Sequence, residues 1–346
     1  MTQPIRRLLS RRRALAFGGG LVVAGPATVS ALARGTSAGG MGEQGPSSSS
    51  RAQERRAKHP PAPPTEVFER ELHTKGTVSE NVLSIEIPRG DLHHVKGPRN
   101  LIFTPSWELH HDWSVQTLPS GETMLNGEMS LLGTETGRVV RELLAQGLVF
   151  QAFHQHFTSQ VPQIWHIHMR GRGEARKLAQ ALAALIRVTA TPFPPPKPPG
   201  HPTTPLDAKG LARILGGTPH VMEDGVVTVD IPRKNPMRLG GEYISPNLAI
   251  APHVRFKPLH GTDEGTGANG PNTVAAAPDF GMTADEVQKV IQVMDEAGWG
   301  IDCLYNQETD EFPQLYWSHQ LKVGDATRLA HEIRRGLDQM NLDFKS

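Results

Sequence analysis

The sequence predicts an α+β protein made of two repeated antiparallel-sheet and helix sandwich units of a split βαβ-like kind. Three observations predict it: a gapless internal repeat, strands with alternating apolar residues, and helices with one apolar face. Sliding the chain by 151 residues aligns Gly147 with Gly298, Pro162-Gln163 with Pro313-Gln314, His168 with His319 and Gly173 with Gly324. Ala175, Leu178 and Ala179 then meet Ala326, Leu329 and Ala330. Upstream, Ile87-Pro88-Arg89 recurs as Ile231-Pro232-Arg233, each time closing an alternating strand.

In the first copy, periodicity places a short helix near 67–72, strands near 82–88, 111–118 and 123–132, and a helix over 135–146. Val139, Val140, Leu143 and Leu144 share one face of that helix, and Gly147 is its expected stop. Strands follow near 148–156 and 162–169. Gly171-Arg172-Gly173 then leads into a helix with Leu178, Leu182, Leu185 and Ile186 at helical spacing. The second copy repeats the order. Strand, helix, hairpin, helix points to an antiparallel sheet with helices stacked on one face.

The organisation along the chain follows from composition: a signal segment over 1–33, a solvated tether over 34–65, copy one over 66–190, a Pro-rich linker over 191–206, and copy two over 207–346. Ser10-Arg11-Arg12-Arg13-Ala14-Leu15 opens a weakly apolar, Gly-rich stretch, and Ala31-Leu32-Ala33 has the small-x-small pattern of a cleavage site. This reads as a twin-arginine export signal, so the expected location is periplasmic or extracellular. The apolar stretch is broken by Gly18-Gly19-Gly20 and Pro26, too short for a stable span of about 20 residues. The tether is Gly, Ser, Pro and charge with scarcely an apolar residue, a composition that cannot offset its ordering entropy.

Lys+Arg at 36 against Asp+Glu at 35 leaves no summed field to attract nucleic acid or an anionic membrane. A single cysteine, Cys303, excludes an intramolecular disulfide and a thiolate-built zinc site. Any metal therefore needs His and carboxylate ligands. Cys303 itself lies in a strand-like run and reads as a small buried apolar residue.

The residues with most chemistry are histidines. His154-Gln155-His156 is expected on one strand and His166-Ile167-His168 on the next, so each pair shares a face. Pairing 154 opposite 168 would also pair 156 opposite 166, gathering four imidazoles on one side of the sheet. Such a cluster suits a divalent transition metal, zinc or copper, with His154, His156, His168 and His166 as ligands. Glu128, after the turn at Leu125-Asn126-Gly127, could join as a ligand or as a general base. In the second copy the same offset gives Tyr305, Gln307 and Trp317 for His154, His156 and His166, keeps His319 for His168, and puts Asp279 for Glu128.

Blander readings apply elsewhere. His93-His94 and His110-His111 read as loop histidines, and Asn306 to Glu311 as a solvated turn. The five tryptophans could stack on sugars, but three fall in expected strands, where packing is the default. Residues 261–270 are Gly-rich without the Lys-Ser/Thr of a phosphate loop, and read as a mobile loop. No Gly-x-Ser-x-Gly elbow and no Cys/His nucleophile pair stands out.

At Phe153-His154-Gln155-His156-Phe157, then Pro162-Gln163-Ile164-Trp165-His166-Ile167-His168 and a Gly-led helix, the chain resembles the bacterial LppY/LpqO family, a domain of unknown function. The resemblance spans both copies, from Thr65 to Ser346. It implies His154, His156 and His168 as family positions, while His166 stands where an apolar residue is more usual. Named members include lipoproteins, whereas no cysteine follows the apolar segment here, so no lipid anchor is expected. The resemblance implies fold and export, and no activity. Two functions fit the whole pattern: metal handling or metal-assisted hydrolysis at the histidines, and a non-catalytic envelope module whose two copies present a groove to an envelope ligand.

Overall fold

The computed structural model describes residues 59–197, 200, 202–259 and 272–345. The expected signal segment, most of the tether and the Gly-rich stretch over 261–270 lie outside the described residues.

Copy one begins with α1 (Thr65–Leu72), followed by β1 (Thr77–Ser79), β2 (Val82–Pro88), β3 (His110–Thr117) and β4 (Thr123–Leu132). Then come α2 (Gly133–Ala145), β5 (Val149–His154), β6 (Ile164–Gly173) and α3 (Ala175–Arg187). The six strands form one antiparallel sheet in the order β1-β2-β3-β4-β6-β5. Strand β6 lies between β4 and β5, which α2 connects, so β4-α2-β5 is a split βαβ unit. Gly147 ends α2 in the left-handed conformation (φ 71°), and Leu148 returns its N–H to the Leu143 carbonyl, the glycine stop anticipated from sequence.

Copy two repeats this plan with α4 (Ala208–Leu215), β7 (Thr218–Val221), β8 (Val227–Asp230), β11 (His253–Pro258), β12 (Thr273–Met282), α5 (Ala284–Glu296), β13 (Gly300–Ile301), β15 (Tyr316–Asp325) and α6 (Ala326–Leu337). Its sheet order, β13-β15-β12-β11-β8-β7, is the order of copy one read element for element. Three short strands, β9 (Met237–Leu239), β10 (Glu242–Ile244) and β14 (Glu311–Phe312), form a separate small sheet.

The repeated Ile-Pro-Arg motif has a structural cause. Arg89 is fully buried and donates to the Ser130 carbonyl at 2.6 Å and to Glu135 at 2.9 and 3.2 Å. Glu135 in turn accepts from the backbone N–H of Leu132 and of Ala190, both at 2.8 Å. In copy two Arg233 does the same to the Gly281 carbonyl and Glu286, and Glu286 accepts from Thr283 and Asn341. Each arginine thus clasps the end of a sheet strand to the first turn of the next helix and to the chain leaving the unit.

Alternation divides each sheet into two faces. Leu125, Met129, Leu131, Ile167 and Met169 of sheet one face the helices, packing with Val139, Leu143, Leu182 and Ile186. Fully burying each such side chain contributes about 1.5–3 kcal/mol. The other face, with Asn126, Glu128, Ser130, His166 and His168, meets the corresponding face of copy two. The connection between β2 and β3 carries Leu92, Phe103, Trp107 and Leu109 onto Ala275 and Ala277 of β12. Reciprocally, Met237, Leu239 and Ile244 pack on Val82, Leu118 and Met124. The result is helices, sheet, sheet, helices, with polar side chains enclosed between the sheets. Among the described residues, no helix is long and apolar enough to cross a membrane.

Candidate metal centre

The histidines come together by a different register from the expected one. His154 pairs with His166, and Ala152 with His168, after an irregularity between Phe150 and Ala152. Strand β5 ends at His154, so His156 belongs to the connection and returns toward the sheet from there. The hairpin loop spans residues 155–163, longer than the 157–161 connection that the strand pattern of the sequence implies. Because the slip is two residues, it preserves the face, and the histidines still converge.

Glu128 lies directly opposite His168 across β4 and β6. Its Oε2 is 2.7 Å from His168 Nε2 and 3.4 Å from His156 Nε2, and its Oε1 is 3.3 Å from His166 Nδ1. These approaches are off the line a hydrogen bond requires. Glu128 Oε2, His156 Nε2 and both ring nitrogens of His154, His166 and His168 are buried without a hydrogen-bond partner. Leaving so many polar atoms unpaired is costly, and points to an ion or water among them. One donor atom each from Glu128, His154, His156 and His168 falls within 4.8 Å of every other. Four tetrahedral ligands bound at about 2.0–2.2 Å would stand roughly 3.3–3.6 Å apart, so a contraction of no more than about 1.5 Å would complete a coordination sphere.

The ionisation pattern suits that use. Burial alone would raise the Glu128 carboxyl, but His156, His166 and His168 hold it well below the ordinary range. Burial, reinforced by His168 and His156, pushes His154 well below the ordinary imidazole value, and burial with His156 pushes His166 down to about 4. Burial also lowers His168. A carboxylate among neutral imidazoles is the ligand form of this set. His156 is the exception: burial and His319 disfavour its cation, but Glu128 and Glu108 raise it to about 9.

Several neighbours were not legible as such in the sequence. His156 Nδ1 donates to Glu108 Oε2 at 2.9 Å, and Glu108 Oε1 accepts from Arg255 Nη1 of copy two at 2.6 Å. His156 stacks between His166 and His319, with ring centroids 3.4 and 3.7 Å away. His154 stacks on Tyr305 at 3.5 Å. Asp112, opposite Glu128 on β3, is pushed up to about 7 by burial and by that carboxylate.

Three expectations are corrected. His110 and His111 are on β3 and buried, not in a loop; His111 Nε2 meets Thr191 Oγ1 at 2.8 Å, while His93 and His94 are exposed. Cys303 is not a buried strand residue, since β13 stops at Ile301. Its Sγ is half-buried, 3.2 Å from His319 Nδ1, a Cys/His contact formed across 16 residues that no local motif announces. The polar run from Asn306 is not a solvated turn: Gln307, Glu308 and Glu311 are buried, and Glu308 Oε1 accepts from Asn126 of copy one at 3.2 Å. Of the tryptophans, Trp107, Trp113, Trp299 and Trp317 are buried, whereas Trp165 is half-buried against Phe153.

Fold and site together define a two-copy α+β protein enclosing a cluster of histidines and carboxylates between its sheets. A family model described as Domain of Unknown Function (DUF1259) matches residues 66–188 and again 209–339, and the chain belongs to that family. No curated protein matches the chain. Among solved structures, the chain aligns with "Crystal structure of a trimeric bacterial microcompartment shell protein PduB" at 13% identity and a TM-score of 0.21, covering 78% of this chain and 97% of that one. A likeness that weak carries no argument about fold or function.

Proposed function

We propose that this is an exported metal-binding protein of the LppY/LpqO type, holding one divalent transition ion, zinc or copper, on Glu128, His154, His156 and His168. The observation that carries the reading is the convergence of these four side chains with their buried nitrogen and carboxylate atoms unpaired. Three imidazoles and a carboxylate suit zinc or copper better than the all-oxygen sites of calcium or magnesium. Four protein donors would match the ligand number of closed, structural metal sites, whereas catalytic sites keep a position for water. Glu128 serves as a ligand in this reading and not as a general base, because its carboxylate lies against three imidazoles. His166 stacks on His156 and supports it from the side. Export by the twin-arginine route, read from residues 10–33, fits a protein that folds around its ion before crossing the membrane.

The test is the elemental content of protein purified after export without a histidine tag, next to a His154→Ala/His156→Ala variant. One equivalent of zinc or copper in the first and none in the second is expected. A wild-type protein that carries no metal and takes none up on titration would sink the proposal.

A further inference from the structure

We infer that Glu108 and Arg255 form a positioning relay, through which the second copy sets the nitrogen of His156 that faces the metal. This rests on the metal reading above. An imidazole can present either nitrogen, and the partner of one decides which is left for the ion. Here Nδ1 is taken, donating to Glu108 Oε2 at 2.9 Å, so Nε2 is the atom turned toward Glu128.

Glu108 is itself held from two directions. Its second oxygen accepts from Arg255 Nη1 on β11. Its backbone has φ 72°, a left-handed conformation that is unfavourable for a non-glycine residue and persists where the surroundings impose it. Its flanking residues, Trp107 and Leu109, are fully buried in the cluster shared with copy two. The Glu108 side chain is 2% exposed and that of Arg255 13%, so each depends on the other for its charge.

Glu108, His156 and His319 also gather donor atoms within 4.8 Å of one another. A second ion there is disfavoured by the contacts already made. Both Glu108 oxygens are engaged, and an arginine bonded to one of them would face the cation. His319 Nδ1 already meets Cys303 Sγ at 3.2 Å, while its Nε2 lies 3.2 Å from Asp279 Oδ2 without a hydrogen bond. The trio therefore supports the first site.

The relay is tested with Glu108→Gln, Arg255→Met and Arg255→Lys in the full chain. Zinc and cobalt(II) affinities are measured by chelator competition, and circular dichroism confirms the fold. Long-range proton–nitrogen NMR on the zinc-loaded, histidine-labelled wild type shows which nitrogen of His156 is coordinated. The expected result is coordination through Nε2 with the proton on Nδ1, and a loss of about 10–100-fold in affinity for Glu108→Gln. Arg255→Met lowers affinity in the same direction. Arg255→Lys restores most of it, since a single Nη1 contact is what a lysine can replace.

Wild-type affinity in both Glu108→Gln and Arg255→Met, or coordination of His156 through Nδ1, would overturn the relay while leaving the metal site standing. A wild type that binds neither ion would remove both. If Glu108→Gln does not fold, the two Arg255 variants decide the matter.

Discussion

At equivalent register positions the two sheets pair a carboxylate with a histidine: Glu128 with His168 across β4 and β6, and Asp279 with His319 across β12 and β15. From this shared start the copies diverge. Around Glu128 stand His154 and His166, both ring nitrogens of each without a partner, and His156, whose Nε2 has none. Around Asp279 the same positions hold Tyr305, Gln307 and Trp317, and His319 lies between Cys303 and Asp279. Tyr305 stacks on His154, and Trp317 joins an apolar cluster with Met237 and Leu248. The difference teaches how a duplicated fold can divide labour: one copy keeps the donor atoms, and the other supplies the wall that buries them and the arginine that orients Glu108.

What the copies still share should matter most for stability. Removing one partner of a buried ion pair costs about 3–5 kcal/mol, because the other charge remains buried and unpaired. Arg89→Met should destabilise by about that amount, since Arg89 also donates to the Ser130 carbonyl and to Asp91. Arg233→Met should follow in the same direction and by less: its Nε has no partner, and it engages one carboxylate where Arg89 engages two. Urea unfolding followed by far-ultraviolet dichroism measures both. Losses below about 1 kcal/mol in both variants would show that the repeated clasp is not what ties each sheet to its helix.

The same comparison separates what the sequence could disclose from what it could not. A period of two is enough to put His166 and His168 on one face, and the repeat is enough to pair Glu128 with Asp279 and His168 with His319. The Ile-Pro-Arg motif was visible twice, yet its purpose was not, because Glu135 lies 46 residues from Arg89 and the contact exists only once the helix docks. Alternation extends the strand through His156, whereas the strand ends two residues before it, at His154. Glu108 and Arg255 carried no local pattern at all: they meet across 147 residues, one from a loop and one from the other copy. Packing between the copies also buried Glu308, and packing within copy one buried His111 beside Trp113 and Thr191, although the polar character of both had pointed to solvent.

The divided labour can be broken at the carboxylates. Glu128→Gln removes a proposed ligand and should lower zinc affinity by more than the roughly 100-fold that marks the upper end for outer partners of a metal site. Asp279→Asn, at the matching position of copy two, should fall well short of that, because Asp279 meets His319 and His253 rather than the four donors. Equal losses in the two variants, measured by chelator competition, would mean that the site is shared evenly and that copy two is more than a wall.

The wall itself predicts the smallest effect. Tyr305 and His154 have ring centroids 3.5 Å apart and planes 24° from parallel, so the tyrosine ring limits how His154 can turn. The phenol oxygen contributes little, having one long contact, 3.4 Å, to Gln307 Oε1. An aromatic pair adds about 0.5–1.5 kcal/mol beyond its buried area, which corresponds to roughly 2–13-fold in an equilibrium constant. Tyr305→Ala should therefore weaken zinc binding by no more than about tenfold, while Tyr305→Phe, which keeps the ring, should bind as the wild type does. A loss in Tyr305→Phe as large as in Tyr305→Ala would move the effect from the ring to the hydroxyl, and would make copy two a contributor of chemistry to the centre as well as of shape.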